Sequence, residues 1–107
     1  MEKLKTIDFK GKPYVEVNER VRYFRTAEDY KGWSLTSNLV KLEDGTCVIQ
    51  AIVYDEKGVK RATGYAREAE ENKPSYVESC EDSAWSRALD CLGIEFNINN
   101  VGKERSE

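Results

Sequence analysis

The sequence predicts one α+β domain spanning residues 1–107: an N-terminal helix, a three-stranded antiparallel meander, and a C-terminal helix packed on the sheet. Three observations carry this. An apolar stripe at helical spacing precedes residue 27, two turn signals divide residues 33–69 into three β-rich runs, and residues 75–93 carry a second helical stripe made of small side chains.

Residues 1–12 are polar, carry four lysines, and read as a short arm or an edge strand. Tyr14, Val17, Val21 and Phe24 then recur at spacings of three, four and three, on one stripe of a helix expected over residues 13–26. Glu16, Glu19, Arg20 and Arg22 are expected to point away from that stripe. The following stretch is rich in β-branched and aromatic residues and is punctuated by Asp44-Gly45 and by a turn around Lys57-Gly58. Asp-Gly between apolar runs marks a type I′ hairpin, because both central positions need positive φ. The meander is therefore placed at about 33–43, 46–55 and 59–69. Cys47, Ile49, Ala51 and Val53 alternate with Val48, Ile52 and Tyr54, so the middle run is apolar on both faces and forms the central strand.

Alternation gives the third strand two different faces. Ala62, Gly64 and Ala66 form a surface small enough for a helix to approach closely, whereas Val59, Arg61, Thr63, Tyr65 and Arg67 form a basic row with an aromatic in it. The helix of residues 75–93 supplies the matching stripe, Val77, Cys80, Ala84, Ala88 and Cys91, flanked by Trp85, Leu89 and Leu92. Ser75 and Glu78 have capping-box spacing, Glu78, Glu81 and Asp82 complement the N-terminal end of the helix dipole, and Gly93 is a natural stop. Residues 94–107 begin with alternating Ile94, Phe96 and Ile98, and a frayed tail is expected over 99–107.

Composition removes several function classes. The chain has no histidine, and Cys47, Cys80 and Cys91 lack metal-type spacing, so no metal, no cofactor and no histidine-based catalysis is expected. The carboxylates of residues 68–82 read as capping and solubilising groups, no phosphate loop is present, and the chain is expected not to be an enzyme. No apolar run reaches the roughly 18–20 residues of a membrane span, and MEKLKTIDFKGK has no signal core; a cytoplasmic protein with no membrane partner is expected.

The net charge of −3 conceals a segregation. Residues 1–67 carry 13 basic and 10 acidic side chains, whereas residues 68–82 carry one basic and six acidic. Aromatics sit among the cations, as in Arg22-Tyr23-Phe24-Arg25 and in the row from Arg61 to Arg67 around Tyr65. Cations for phosphates beside aromatic faces for bases is the composition of a single-strand nucleic-acid surface.

The stretch GYAREAEENKPSYVESCEDSAWSRALDCLGI, Gly64 to Ile94, resembles a segment of small bacteriophage single-strand DNA annealing and recombination proteins. The matching positions are Gly64, Ala66, Glu68, Ser75, Glu78, Ser83, Ala84, Arg87, Ala88, Leu89, Leu92, Gly93 and Ile94. The helix is also similar to that of eukaryotic recombination-mediator annealing proteins, whose core is a meander followed by a helix. The resemblance implies an ATP-independent single-stranded DNA binder of phage or prophage origin, working in a bacterial host cell, that forms homo-oligomers and brings complementary strands together. It puts Arg87 on the motif arginine as first DNA contact. Lys60, Arg61, Tyr65 and Arg67 on the third strand, with Arg22 and Arg25, complete the candidate DNA-binding set. A phage or host replication or recombination protein is a further possible partner. The alternative is a small phage-encoded protein that keeps this fold and binds and inhibits a host protein.

Overall fold

The computed structural model describes residues 7–9, 12–14, 16–71 and 74–94. Strands β1 (Ile7–Phe9) and β2 (Lys12–Tyr14) form a small antiparallel pair, followed by α1 (Val17–Thr26) and a 3-10 turn at Glu28–Tyr30. The meander is β3 (Ser34–Glu43), β4 (Thr46–Tyr54) and β5 (Lys60–Ala69), in the spatial order β3-β4-β5, and α2 (Tyr76–Cys91) follows. This is the expected α+β architecture, with α2 lying across β5 and β4. The tail expected over 99–107 lies outside the described residues.

The first helix begins later than its spacing suggested. Residues 12–14 pair with 7–9, so Tyr14 belongs to a strand; Pro13 there has no N–H to give a helix or a ladder, and the helical turn begins only after the extended Glu16. Arg20 is a larger departure from the pattern, because it is fully buried. Its guanidinium enters the angle between α1 and α2, where Nε donates to Ile94 O (2.8 Å), one terminal nitrogen to Ser86 Oγ (2.7 Å), and the other to Ser86 O (2.8 Å) and Asp90 Oδ1 (2.6 Å). A cation can be buried on an apolar stripe only when its donors are met in this way.

One face of β4 supplies the core floor, with Cys47, Ala51 and Val53 wholly inaccessible and Ile49 nearly so. Ala62, Gly64 and Ala66 of β5 extend that floor, and Cys80, Ala84, Ala88 and Leu89 of α2 cover it. A Cβ built on Gly64 would lie 2.5 Å from Ala88 N and 2.7 Å from Ala84 O, so only glycine permits this approach. Phe24, Tyr30 and Trp33 close one end of the core, their ring centroids 5.3 Å and 5.1 Å apart in sequence. On the other flank Trp85 Nε1 donates to Ser37 Oγ (2.8 Å), which donates to Glu81 Oε2 (2.6 Å), tying α2 to β3.

The turns follow from local chemistry. Asp44 and Gly45 have φ of 53° and 68°, the paired left-handed conformation of a type I′ turn. Helix α2 ends as Gly93 enters the left-handed region, with Gly93 N–H donating to Asp90 O and Ile94 N–H to Leu89 O, both 2.9 Å. At its start the expected capping box is absent: Ser75 has ψ 43°, outside the extended geometry that aims a capping hydroxyl, and offers only its carbonyl to Ser79 N–H.

Two thiols are interior. Cys80 Sγ–H donates to Cys47 O (3.3 Å) and Ala66 O (3.4 Å), and burial, helped by the Cys47 thiol, pushes its pKa up to about 11. Cys91 was expected on the buried stripe, but it falls in the last turn of α2, where its thiol reaches Thr63 O (3.4 Å) and stays exposed.

Asp55 organises the β4–β5 turn. Its Oδ1 accepts from Val59 N–H and Lys57 N–H, both 2.9 Å, and its Oδ2 from Arg61 at 3.1 Å. The Val59 amide, then the Lys57 amide and Arg61, hold its carboxyl below the usual carboxylate range. A depressed folded-state pKa contributes stability that is complete above the unfolded value of about 4 and is lost as pH falls through the lower folded value. Asp55→Ala is therefore expected to melt lower than the parent at neutral pH, with the difference shrinking below about pH 4. Thermal melts across pH check this; a gap that persists undiminished in acid would assign the loss to something other than the carboxylate.

Candidate nucleic-acid interface

Helix α2 covers one side of the meander and leaves the other open. Strand pairing assigns the residues of that open side to rows running across it: Thr36–Ile52–Thr63, Asn38–Gln50–Tyr65 and Lys41–Val48–Arg67. Asn38 Nδ2 donates to Gln50 Oε1 (3.3 Å), which fixes the amides beside Tyr65. Tyr65 is 54% exposed, and Arg67 and Lys41 are also exposed. Arg67 and Lys41 lie at the two ends of one row, about 10 Å apart at two strand spacings. The resulting band is an aromatic face and two polar amides bordered by two cations, none of which forms an ion pair among the described residues.

Lys41 was not among the expected contacts, and the reason is a bulge. Strict alternation from Ser34 would put residue 41 under α2, but pairing slips between Leu39 and Lys41 and carries Lys41 to the open side. A second irregularity, between Val53 and Tyr54, acts in reverse. It leaves Arg61 without a partner in the ladder, so the expected basic row is interrupted. Arg61 instead pairs with Asp55 and lies over the Trp33 ring, 5.5 Å from its centroid. Lys60 stands opposite Tyr54 at the start of β5 and is exposed.

The remaining candidates lie elsewhere. Arg22 is bound to Glu19 one turn back, with Nε donating to Oε1 at 2.9 Å. Arg25 is exposed in the last turn of α1. Arg87 is exposed on α2, on the covered side of the sheet; its Cβ is 2.7 Å from where a Gly64 Cβ would stand, so it lies directly over β5. Its surroundings are acidic, for it shares a shallow depression of about 340 Å³ with Asp82 and Asp90 and three serines. Tyr65 and Arg67 are thus neighbours along β5, with Lys60 at the far end of that strand and Arg87 on its other side, while Arg22, Arg25 and Arg61 are not part of that group.

Electrostatics separate the two sides further. A helix N-terminus is a natural phosphate site, but α2 carries Glu78 in its first turn, followed by Glu81 and Asp82. Burial and the adjacent Glu81 raise the Asp82 pKa. On the open face the rows of Tyr65 and of Arg67 carry no acidic residue, and the nearest acid among the described residues there, Glu43, stands one row beyond Lys41 at the β3 edge. Among the described residues no group of histidine, cysteine, aspartate or glutamate is placed to hold a metal ion, and no helix is long and apolar enough to cross a membrane.

Residues 23–92, from the second half of α1 to the end of α2, match the model of the family described as Slr1353 N-terminal dsRNA-binding domain-like. No curated protein and no solved structure matches the chain significantly.

Proposed function

Because this chain belongs to the Slr1353 N-terminal dsRNA-binding domain-like family, we propose that it is a nucleic-acid-binding protein whose ligand is single-stranded DNA, held on the open face of the meander. The observation that carries this reading is the band Tyr65, Gln50 and Asn38 bordered by Arg67 and Lys41. A base can stack on the phenol while Arg67 and Lys41, both in the adjoining row, meet phosphates along one flank of the band. The acidic start of α2 opposes a second phosphate contact there, which favours a single strand on the sheet over a duplex spanning sheet and helix. The resemblance of Gly64–Ile94 to phage annealing proteins supports an ATP-independent role in annealing or recombination, with Lys60 and Arg87 as outlying contacts. The same acidic helix start favours a second reading, a phage-encoded protein that binds and inhibits a basic host protein.

Fluorescence anisotropy with labelled single- and double-stranded DNA and RNA tests the proposal. Affinity for the single strand is expected to fall steeply between about 50 mM and 200 mM salt. Tyr65→Ala is expected to weaken binding by about 1–3 kcal/mol, the usual worth of one stacked base. Arg67→Ala is expected to reduce the salt slope by about 0.7, one single-strand phosphate contact. Tighter binding to duplex RNA would overturn the single-strand assignment, and no binding at low salt would transfer support to the protein-binding reading.

A further inference from the structure

We propose that two copies of this chain associate through the exposed edge of β3, pairing antiparallel about a two-fold axis at Leu42. The inference rests on strand geometry and does not depend on the nucleic-acid reading.

Strand β3 is an edge of the sheet, and all residues from Thr36 to Glu43 are exposed. Leu39 is 54%, Val40 52% and Leu42 49% exposed, so three of the five large apolar side chains most open to solvent among the described residues adjoin on this one strand. Pairing places Leu39 opposite Ile49 and Leu42 opposite Cys47, which puts both leucines on the helix side. Ile49 and Cys47 are buried there, but the cover of α2 ends at the Trp85–Ser37–Glu81 chain, and the leucines project past it. A long apolar edge with unpaired backbone groups is a template for another strand.

Charge selects the occupant. In a two-fold antiparallel pair centred on residue 42, position 41 of each chain stands opposite position 43 of the other. Here those residues are Lys41 and Glu43, so one register yields two symmetry-related ion pairs flanking a Leu42–Leu42 contact. The bulge between Leu39 and Lys41 bends the strand on one side of this segment and confines pairing to the stretch that carries the complementary charges. The interface is short, below the roughly 1,200 Å² of a standard specific complex, which sets the dissociation constant in the micromolar range or weaker. The axis stands perpendicular to the sheet, so both open faces point the same way. The two β5 strands then lie about 24 Å apart, five strand spacings, at the outer edges of a six-stranded sheet.

Sedimentation equilibrium from about 1 µM to about 1 mM, without nucleic acid, tests this. The parent chain is expected to show a concentration-dependent dimer. K41E and E43K alter solvent-exposed side chains and are expected to keep the parent circular dichroism, yet each sets like charges opposite one another twice and is expected to weaken dimerisation at least about tenfold. An equimolar mixture of K41E and E43K restores opposite charges at both positions and is expected to form a heterodimer of at least parental affinity. A monomer throughout the range, a dimer indifferent to the single reversals, or a mixture that stays monomeric would each overturn the proposal.

Discussion

Replacing Gly64 by alanine is expected to lower the stability of the domain by about 2–4 kcal/mol, the upper range of overpacking costs. The added methyl group would stand 2.5 Å from Ala88 N and 2.7 Å from Ala84 O. Both are helix backbone atoms, held by the hydrogen bonds of α2, and cannot rotate away as a side chain would. Relief requires the whole helix to rise from β5, opening gaps at Cys80, Ala84 and Ala88, which are fully buried beneath it. For a domain of about 100 residues each kcal/mol shifts the melting temperature by roughly 4–8 °C, so a drop of at least about 8 °C is expected by circular dichroism. A melting temperature within a few degrees of the parent would show that α2 can lift from β5 at little cost.

Arg20→Leu is expected to cost about 3 kcal/mol, the lower end of the range for removing one partner of a buried pair. Leucine is shorter than arginine and leaves part of the space unfilled, and the acceptors are left behind as well: Ser86 O, Ser86 Oγ, Ile94 O and Asp90 Oδ1 each lose a donor. Asp90 is 34% exposed and recovers part of its hydration, which keeps the cost from the upper end. Adding Asp90→Leu to Arg20→Leu is expected to recover part of the lost stability, because the second change removes the half-buried carboxylate whose ion pair with Arg20 the first change breaks. Chemical denaturation of the two single variants and the double variant measures the coupling; strictly additive losses would mean that the ion pair is not what Arg20 supplies.

The contrast between these two residues shows what a sequence makes legible. The close approach of α2 to β5 could be read in advance, because Ala62, Gly64 and Ala66 at period two and Cys80, Ala84 and Ala88 at period four announce matching flat surfaces. The strand limits and the Asp44-Gly45 turn were legible for the same reason: each is a local rule applied over a few residues. Arg20 was not, since its partners are more than sixty positions away and a charged side chain on an apolar stripe gives no sign of them. The composition of the open face was half legible. Tyr65 and Arg67 follow from alternation, whereas Lys41 joins them and Arg61 leaves them through two bulges, each a one-residue slip that reverses a face without a residue type to mark it.

The segment Gly64–Ile94 also acquires a physical meaning. Gly64, Ala66, Ala84, Ala88 and Leu89 bury the contact of helix with strand, and Gly93 and Ile94 close the helix end. The positions that carry the resemblance are thus mostly those that shape the core.

The distribution of thiols gives the chain an intrinsic handle for spectroscopy. Cys47 and Cys80 are sealed from solvent, and the Cys80 thiol, raised to about 11, has almost no thiolate at neutral pH. Cys91 is exposed beside Thr63 O, across β5 from the open face. A maleimide dye added to the native, unmutated chain should therefore attach at one position. It would place a reporter at the outer margin of the sheet, close enough to sense an occupant of β5 and remote from the β3 edge.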